Sequence, residues 1–165
     1  MINMEKRIFR VALALLILLA LPAVSHAQRK ASTVPTVKLT KSEVKALGFG
    51  GKSYKQKQPN VWQISGGVTV YATHAYGSKI YGFAGPTPLF IAVGKSGKII
   101  SICAAPNGET PEYFSLASKE LLSKWNGKTL KQAAKYKPDA VSGATFSSHA
   151  IIRTVNATAA ALSAK

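Results

Sequence analysis

The chain has 165 residues, with 22 Lys and Arg against six Asp and Glu, three His and one Cys, and a formal net charge of +16. That length fits one domain. The lone Cys excludes an intramolecular disulfide framework, and three His with one Cys leave little room for a four-ligand metal cage, so no metal site is assigned.

A targeting segment comes first. Residues 1–10 carry Lys6, Arg7 and Arg10 against Glu5, Val11 to Val24 is apolar apart from Pro22, and Ser25-His26-Ala27 ends the run with small residues around His26. This is the pattern of a cleaved secretory signal peptide. As a helix the apolar run rises roughly 21 Å, short of the ~30 Å hydrocarbon core, and no Cys follows to carry a lipid. The expected organisation is a signal peptide over residues 1–27, cut after Ala27, a linker over 28–38 and one domain over 39–165, in a periplasmic or other extracytoplasmic location. Cleavage removes three basic and one acidic residue, and the remaining 19 basic and five acidic residues give +14. Such charge points to an anionic partner: nucleic acid, an anionic membrane surface, an acidic protein or an anionic small molecule. Export argues against nucleic acid. The lysines stand singly (Lys38, Lys41, Lys45, Lys52, Lys55, Lys57), which fits a solvated basic surface equally well.

Thr40-Lys41-Ser42-Glu43 fits a capping box, with Leu39 and Val44 as the staple and Gly48 as the stop, so a short helix is predicted over Lys41 to Leu47. Gly51-Lys52-Ser53 and Gly94-Lys95-Ser96 are not phosphate-binding P-loops, because Ala46 and Leu89 stand where the pattern needs glycine. From Val61 the pattern is strand-like: Val61 to Ile64, Val68 to Ala75, Leu89 to Val93 and Lys98 to Ala104, the last two joined as a hairpin by Gly94 to Gly97. A helix follows Pro111, bearing Leu116, Leu121 and Leu122 before an Asn126-Gly127 stop. An Ala-rich helix runs from Ser147 to Leu162 with Ile151, Ile152 and Val155. The predicted fold class is α+β, a twisted antiparallel sheet with packed helices in a single domain.

The chemistry concentrates in Asp139-Ala140-Val141-Ser142-Gly143-Ala144-Thr145-Phe146-Ser147-Ser148. Gly143 permits close backbone approach, and the free amides and positive dipole of the following helix favour a phosphate. That term is worth about 0.3–1 kcal/mol when exposed and ~2 kcal/mol when partly buried, too little to retain a diffusible cofactor. A covalent link through the Thr145 hydroxyl removes the difficulty. The alternative is that Ser142, Thr145, Ser147 and Ser148 only cap the helix.

Asp139-x-x-Ser142-Gly143-Ala144-Thr145 resembles the signature of the FMN-binding domain family, which includes the flavin-bearing G subunit of Rnf complexes and the C subunit of sodium-translocating NADH:quinone reductase. Tyr81-Gly82-Phe83-Ala84-Gly85-Pro86, Gly97-Lys98-Ile99, Glu109-Thr110-Pro111 and Trp125-Asn126-Gly127-Lys128 follow in the family's order, so the resemblance spans roughly Val68 to Val155. The resemblance implies FMN held as a phosphoester on Thr145, attached by a separate magnesium-dependent flavin transferase that uses FAD. It implies that Asp139, Ser142, Gly143 and Ala144 are read by that transferase, with Ser147 and Ser148 in place of the usual Thr-Ser pair. By the same resemblance, the loops bearing Gly85 and Pro86 and Glu109, Thr110 and Pro111 approach the isoalloxazine. The chain departs from the family where Glu112-Tyr113-Phe114 follows Pro111 instead of glycine.

Among other residues, Tyr81 is assigned ring stacking ahead of Tyr71, Tyr76, Phe83 and Phe90. His149, four residues after Thr145, is a candidate phosphate ligand, His74 a sheet residue, and Cys103 an inert core thiol. The sequon at Asn156 lies inside a predicted helix and is discounted. The expected function is extracytoplasmic electron transfer with membrane or extracytoplasmic redox partners. The alternatives are a flavin-dependent reductase of a diffusible acceptor and a flavin-free basic binding module.

Overall fold

Leu-Phe-Ile-Ala-Val, with no polar side chain, forms the strand Leu89–Val93 in which every residue is buried. Only a strand covered on both faces reads this way. The computed structural model describes residues 35–164; the expected signal peptide and residues 28–34 of the expected linker lie outside them. Five strands, β1 (Tyr54–Gln58), β2 (Val61–Ile64), β3 (Val68–Ala72), β4 (Leu89–Val93) and β5 (Ile99–Ala104), pair in sequence order as an antiparallel meander. The helices are α1 (Lys41–Ala46), α2 (His74–Gly77), α3 (Pro111–Leu121), α4 (Leu130–Ala133) and α5 (Thr145–Ser163), with a 3₁₀ turn at Leu122–Trp125. The expected α+β class, a single domain with an antiparallel sheet and packed helices, is observed.

Alternation along β4 divides the core. Leu89, Ile91 and Val93 meet Phe114, Leu121, Trp125, Ile151 and Val155 on the helical face, whereas Phe90 and Ala92 meet Leu47, Phe49, Trp62 and Val70 on the other. Helix α1 covers that second face. Its capping box forms, with the Glu43 carboxylate accepting the Thr40 N–H at 2.6 Å, and Leu39 and Val44 are both buried. The β4–β5 hairpin closes through Gly94 N–H to Lys98 O at 2.9 Å, and Gly97 takes a φ of 71°.

Strand β3 stops at Ala72, three residues before the predicted end. Thr73 turns the chain: its hydroxyl accepts the Leu89 N–H at 2.8 Å, and its carbonyl accepts the amides of Tyr76 and Gly77. His74 therefore begins α2 and is not a sheet residue. The C-terminal helix begins two residues earlier than predicted, at Thr145. Strand β1, Tyr-Lys-Gln-Lys-Gln, carries no apolar pattern; its ladder to β2 defines it, and Lys55 and Lys57 guard the sheet edge. The opposite edge is covered where the Ile99 N–H donates to Lys128 O and the Ile99 carbonyl accepts the Gly127 N–H. No described helix is long and apolar enough to cross a membrane.

Asn60, at φ 63° and 5% exposed, fastens the described N-terminal segment. Its Oδ1 accepts the Val37 N–H at 3.0 Å and its Nδ2 donates to Pro35 O at 3.1 Å. Loss of both bonds in Asn60→Ala is expected to lower the unfolding free energy by about 1–3 kcal/mol. In urea titration this should move the midpoint and leave the slope unchanged.

Candidate functional site

A turn delivers Thr145 to the surface. Ala144 N–H donates to Val141 O at 3.0 Å and Gly143, third in that turn, takes a φ of 78°, a conformation that favours glycine. Thr145 is the first residue of α5, and its side chain is exposed. The residue ahead of it is Ala144, and no side chain caps the helix. The neighbouring hydroxyls are used elsewhere: Ser148 Oγ accepts the Val141 N–H at 3.1 Å, and Ser147 Oγ donates to Glu109 Oε2 at 3.4 Å. The reading of these hydroxyls as helix caps therefore fails. The first-turn amides keep their capacity to donate to an anion.

Glu109 organises the surroundings. It is 6% exposed, and its Oε2 also accepts the N–H groups of Phe83 and Ala84, each at 3.2 Å. Its Oε1 is buried with no partner. A side chain at Gly82 would overlap Oε1, so only glycine leaves room for the carboxylate. The 82–85 turn closes through Gly82 N–H to Gly85 O at 2.8 Å, and Gly85 lies against the backbone of Gly108. The two loops singled out in the sequence thus pack on each other and on the first turn of α5.

A cleft of about 280 Å³ lies beside Thr145, lined by Phe83, Tyr113, Gly143, Ala144, Thr145, Phe146 and Ser147. Its aromatic walls interact: Phe83 meets Tyr113 edge-on at 5.0 Å and Phe146 at 6.4 Å. Phe83 and Phe146 are 57% and 68% exposed, an unusual state for two neighbouring large aromatic residues unless something covers them. Thr145, Gly143, Ala144 and Ser147 are brought together here. Ser142 and Asp139 are exposed nearby in sequence but do not line the cleft. Thr110 occupies the N-cap position of α3 without a side-chain capping bond, and Pro111 opens the helix. Tyr81 bridges Pro86, and its carbonyl accepts from Arg153 at 3.3 Å. Pro86 lines a separate cleft of about 340 Å³ with His74, Pro88, Pro106 and Asn107.

Tyr113 and Phe146 are lining residues that the sequence reading did not single out; Phe83 also lines the cleft, and Tyr81, itself 60% exposed, does not. The available signal was Phe146 itself, an aromatic side chain inside a turn-to-helix segment otherwise made of small and hydroxyl residues. His149 and Arg153 follow Thr145 at four-residue steps along α5, and Arg153 Nε donates to His149 O at 3.4 Å. Burial lowers the pKa of His74. Cys103 is free and buried; desolvation, helped by the charge of Glu43, pushes its thiol up to about 12, so the reactive thiolate is scarce at neutral pH. Among the described residues no group of three or more His, Cys, Asp or Glu side chains could hold a metal ion.

Residues 82–160 match the family model described as the FMN-binding domain. This supports an FMN-binding domain, a flavin-binding protein and FMN as the cofactor. Neither the curated proteins nor the solved structures yield a match.

The Gly82–Glu109 contact can be tested by a double-mutant cycle in urea unfolding. Gly82→Ala must push the carboxylate off its three donors, and Glu109→Ala leaves those donors unpaired, so each is expected to cost about 1–3 kcal/mol. The double variant should cost less than the sum, because the added methyl then occupies space the carboxylate has vacated.

Proposed function

We propose that this chain is an exported flavoprotein that carries FMN as a phosphoester on Thr145 and serves extracytoplasmic electron transfer. One observation carries the reading: an exposed threonine hydroxyl, at an uncapped helix N-terminus, opens onto a cleft with aromatic walls, within the segment that matches the FMN-binding domain. The arrangement fits both ends of FMN. The amides of the first turn of α5 would hold the phosphate, helped by the helix dipole, and Phe83, Tyr113 and Phe146 would cover the faces or edges of the ring.

Thr145 provides only a hydroxyl, a weak nucleophile without a base or metal. His149 is exposed and four residues away along the helix; it has no established role as a base. A separate flavin transferase supplying Mg²⁺ and using FAD accounts for attachment. In that transfer the Thr145 oxygen would bond to the FMN phosphorus of FAD as the pyrophosphate P–O bond breaks, the hydroxyl proton passing to a base of the transferase and AMP leaving. Bound FMN supplies one- and two-electron chemistry. The chain's own residues keep the phosphate in place, shelter the ring and set the charge around it. The N-terminal segment supports export, with residues 1–27 removed and redox partners in the membrane or outside the cytoplasm.

The test is intact mass, with in-gel flavin fluorescence, of the chain exported together with an active flavin transferase. The expected mature protein begins at Gln28 and is heavier than its polypeptide by FMN less one water. Thr145→Ala should lose the added mass and the fluorescence entirely. Its stability should stay within about 0.5 kcal/mol of the parent, since the replaced side chain is on the surface. Covalent flavin persisting in Thr145→Ala would refute the assignment.

A further inference from the structure

The far end of α5 carries a second concave feature. A cleft of about 1060 Å³ is lined by Lys128, Lys131 and Lys135, with Asn126, Gln132, Tyr136 and the α5 residues Ala160 and Ser163. No acidic residue lines it. The Lys128 ammonium sits 4.0 Å from the centroid of the Tyr136 ring, and that ring meets buried Trp125 edge-on at 5.8 Å. Lys128 is thereby fixed on a rigid aromatic support, while Lys131 and Lys135 extend from α4 and the turn after it. None of the three is paired with a carboxylate among the described residues. Three uncompensated cations converging on one depression repel each other and are relieved by a multiply charged anion.

We propose that this cleft is a docking site for an acidic segment of a partner protein, a helix or loop that presents several carboxylates from a protruding surface. The three lysines line one broad, open depression, and several carboxylates carried on one projecting segment can meet all of them at once. Ala134, Ala160 and Tyr136 add apolar surface to the lining, which suits the methylene stems of glutamates. Fifteen residues of α5 separate Thr145 from Ala160, a rise of about 22 Å, so a partner seated here leaves the aromatic cleft open. The proposal is independent of the flavin reading and survives its failure.

The test is fluorescence anisotropy of a labelled oligoglutamate peptide titrated with the purified protein at low ionic strength. The expected result is saturable binding that weakens as salt is raised toward the range where charge is screened within a few ångströms. Charge reversal in Lys128→Glu/Lys131→Glu/Lys135→Glu should weaken binding about tenfold or more. Lys41→Glu/Lys55→Glu/Lys57→Glu, with the same change in net charge on exposed positions elsewhere, should change it less than about threefold. The neutral Lys128→Gln/Lys131→Gln/Lys135→Gln variant should fall between and guards against misfolding of the reversed one. Equal loss in both reversed triples would overturn the proposal by making summed charge the cause. It would also fall if phosphatidylglycerol vesicles, and not the peptide, bound through the three lysines, or if inorganic phosphate displaced the peptide at equimolar concentration.

Discussion

One carboxylate holds the Thr145 end of the molecule together. Glu109 comes from the loop ahead of α3, yet its Oε2 gathers two amides from the 82–85 turn and the Ser147 hydroxyl of α5. Three separate stretches of chain are thus registered on one atom. Hydrogen bonds to a charged acceptor are stronger than neutral ones, and a donor left behind in a buried place is penalised by its full desolvation. The turn that carries Phe83 is therefore fixed relative to the helix that carries Phe146. The distance between the aromatic walls of the cleft follows from this connection.

The same helix links the site to the core. Ala144 is buried at the foot of the turn, and Ile151, Ile152, Val155 and Ala159 pack α5 against β4 and α3. Because these contacts occupy one face for most of its length, the first turn is free to present Thr145 outward without weakening the helix. Ser148 contributes by reaching back to Val141, so the glycine turn is anchored from the helix side. An exposed hydroxyl on a well-packed scaffold suits the role proposed for Thr145.

Much of this was legible in the sequence. Strands β2 and β4 have their predicted bounds because their apolar content decides the structure locally, and α1 is specified by its cap and staple. Strand β1 was invisible: Tyr-Lys-Gln-Lys-Gln offers no apolar periodicity, and only pairing with β2 makes it a strand. The Thr73 turn was hidden because the hydrogen bond that ends β3 comes from Leu89, sixteen residues away. The Thr145 segment stood out through its glycine and hydroxyl spacing. The aromatic lining did not, since Phe83, Tyr113 and Phe146 lie on three different elements and resemble ordinary core residues until the fold leaves two of them exposed. Glu109 was singled out by resemblance, but its link to Gly82 and Ser147 exists only in three dimensions.

Charge has to be apportioned by distance, not summed. At physiological ionic strength the screening length is about 8 Å, while the lysine-lined cleft lies about 22 Å of helix away from Thr145. The lysines there contribute little to the potential at the aromatic cleft. What acts locally is the positive end of α5, Arg153 farther along that helix, and the buried carboxylate of Glu109. The first favours a phosphate and any anionic form of a bound ring. The last opposes the latter, though its three donors offset part of its field. The net charge of +14 on residues 28–165 therefore does not fix the potential at Thr145, which is set by the groups near it.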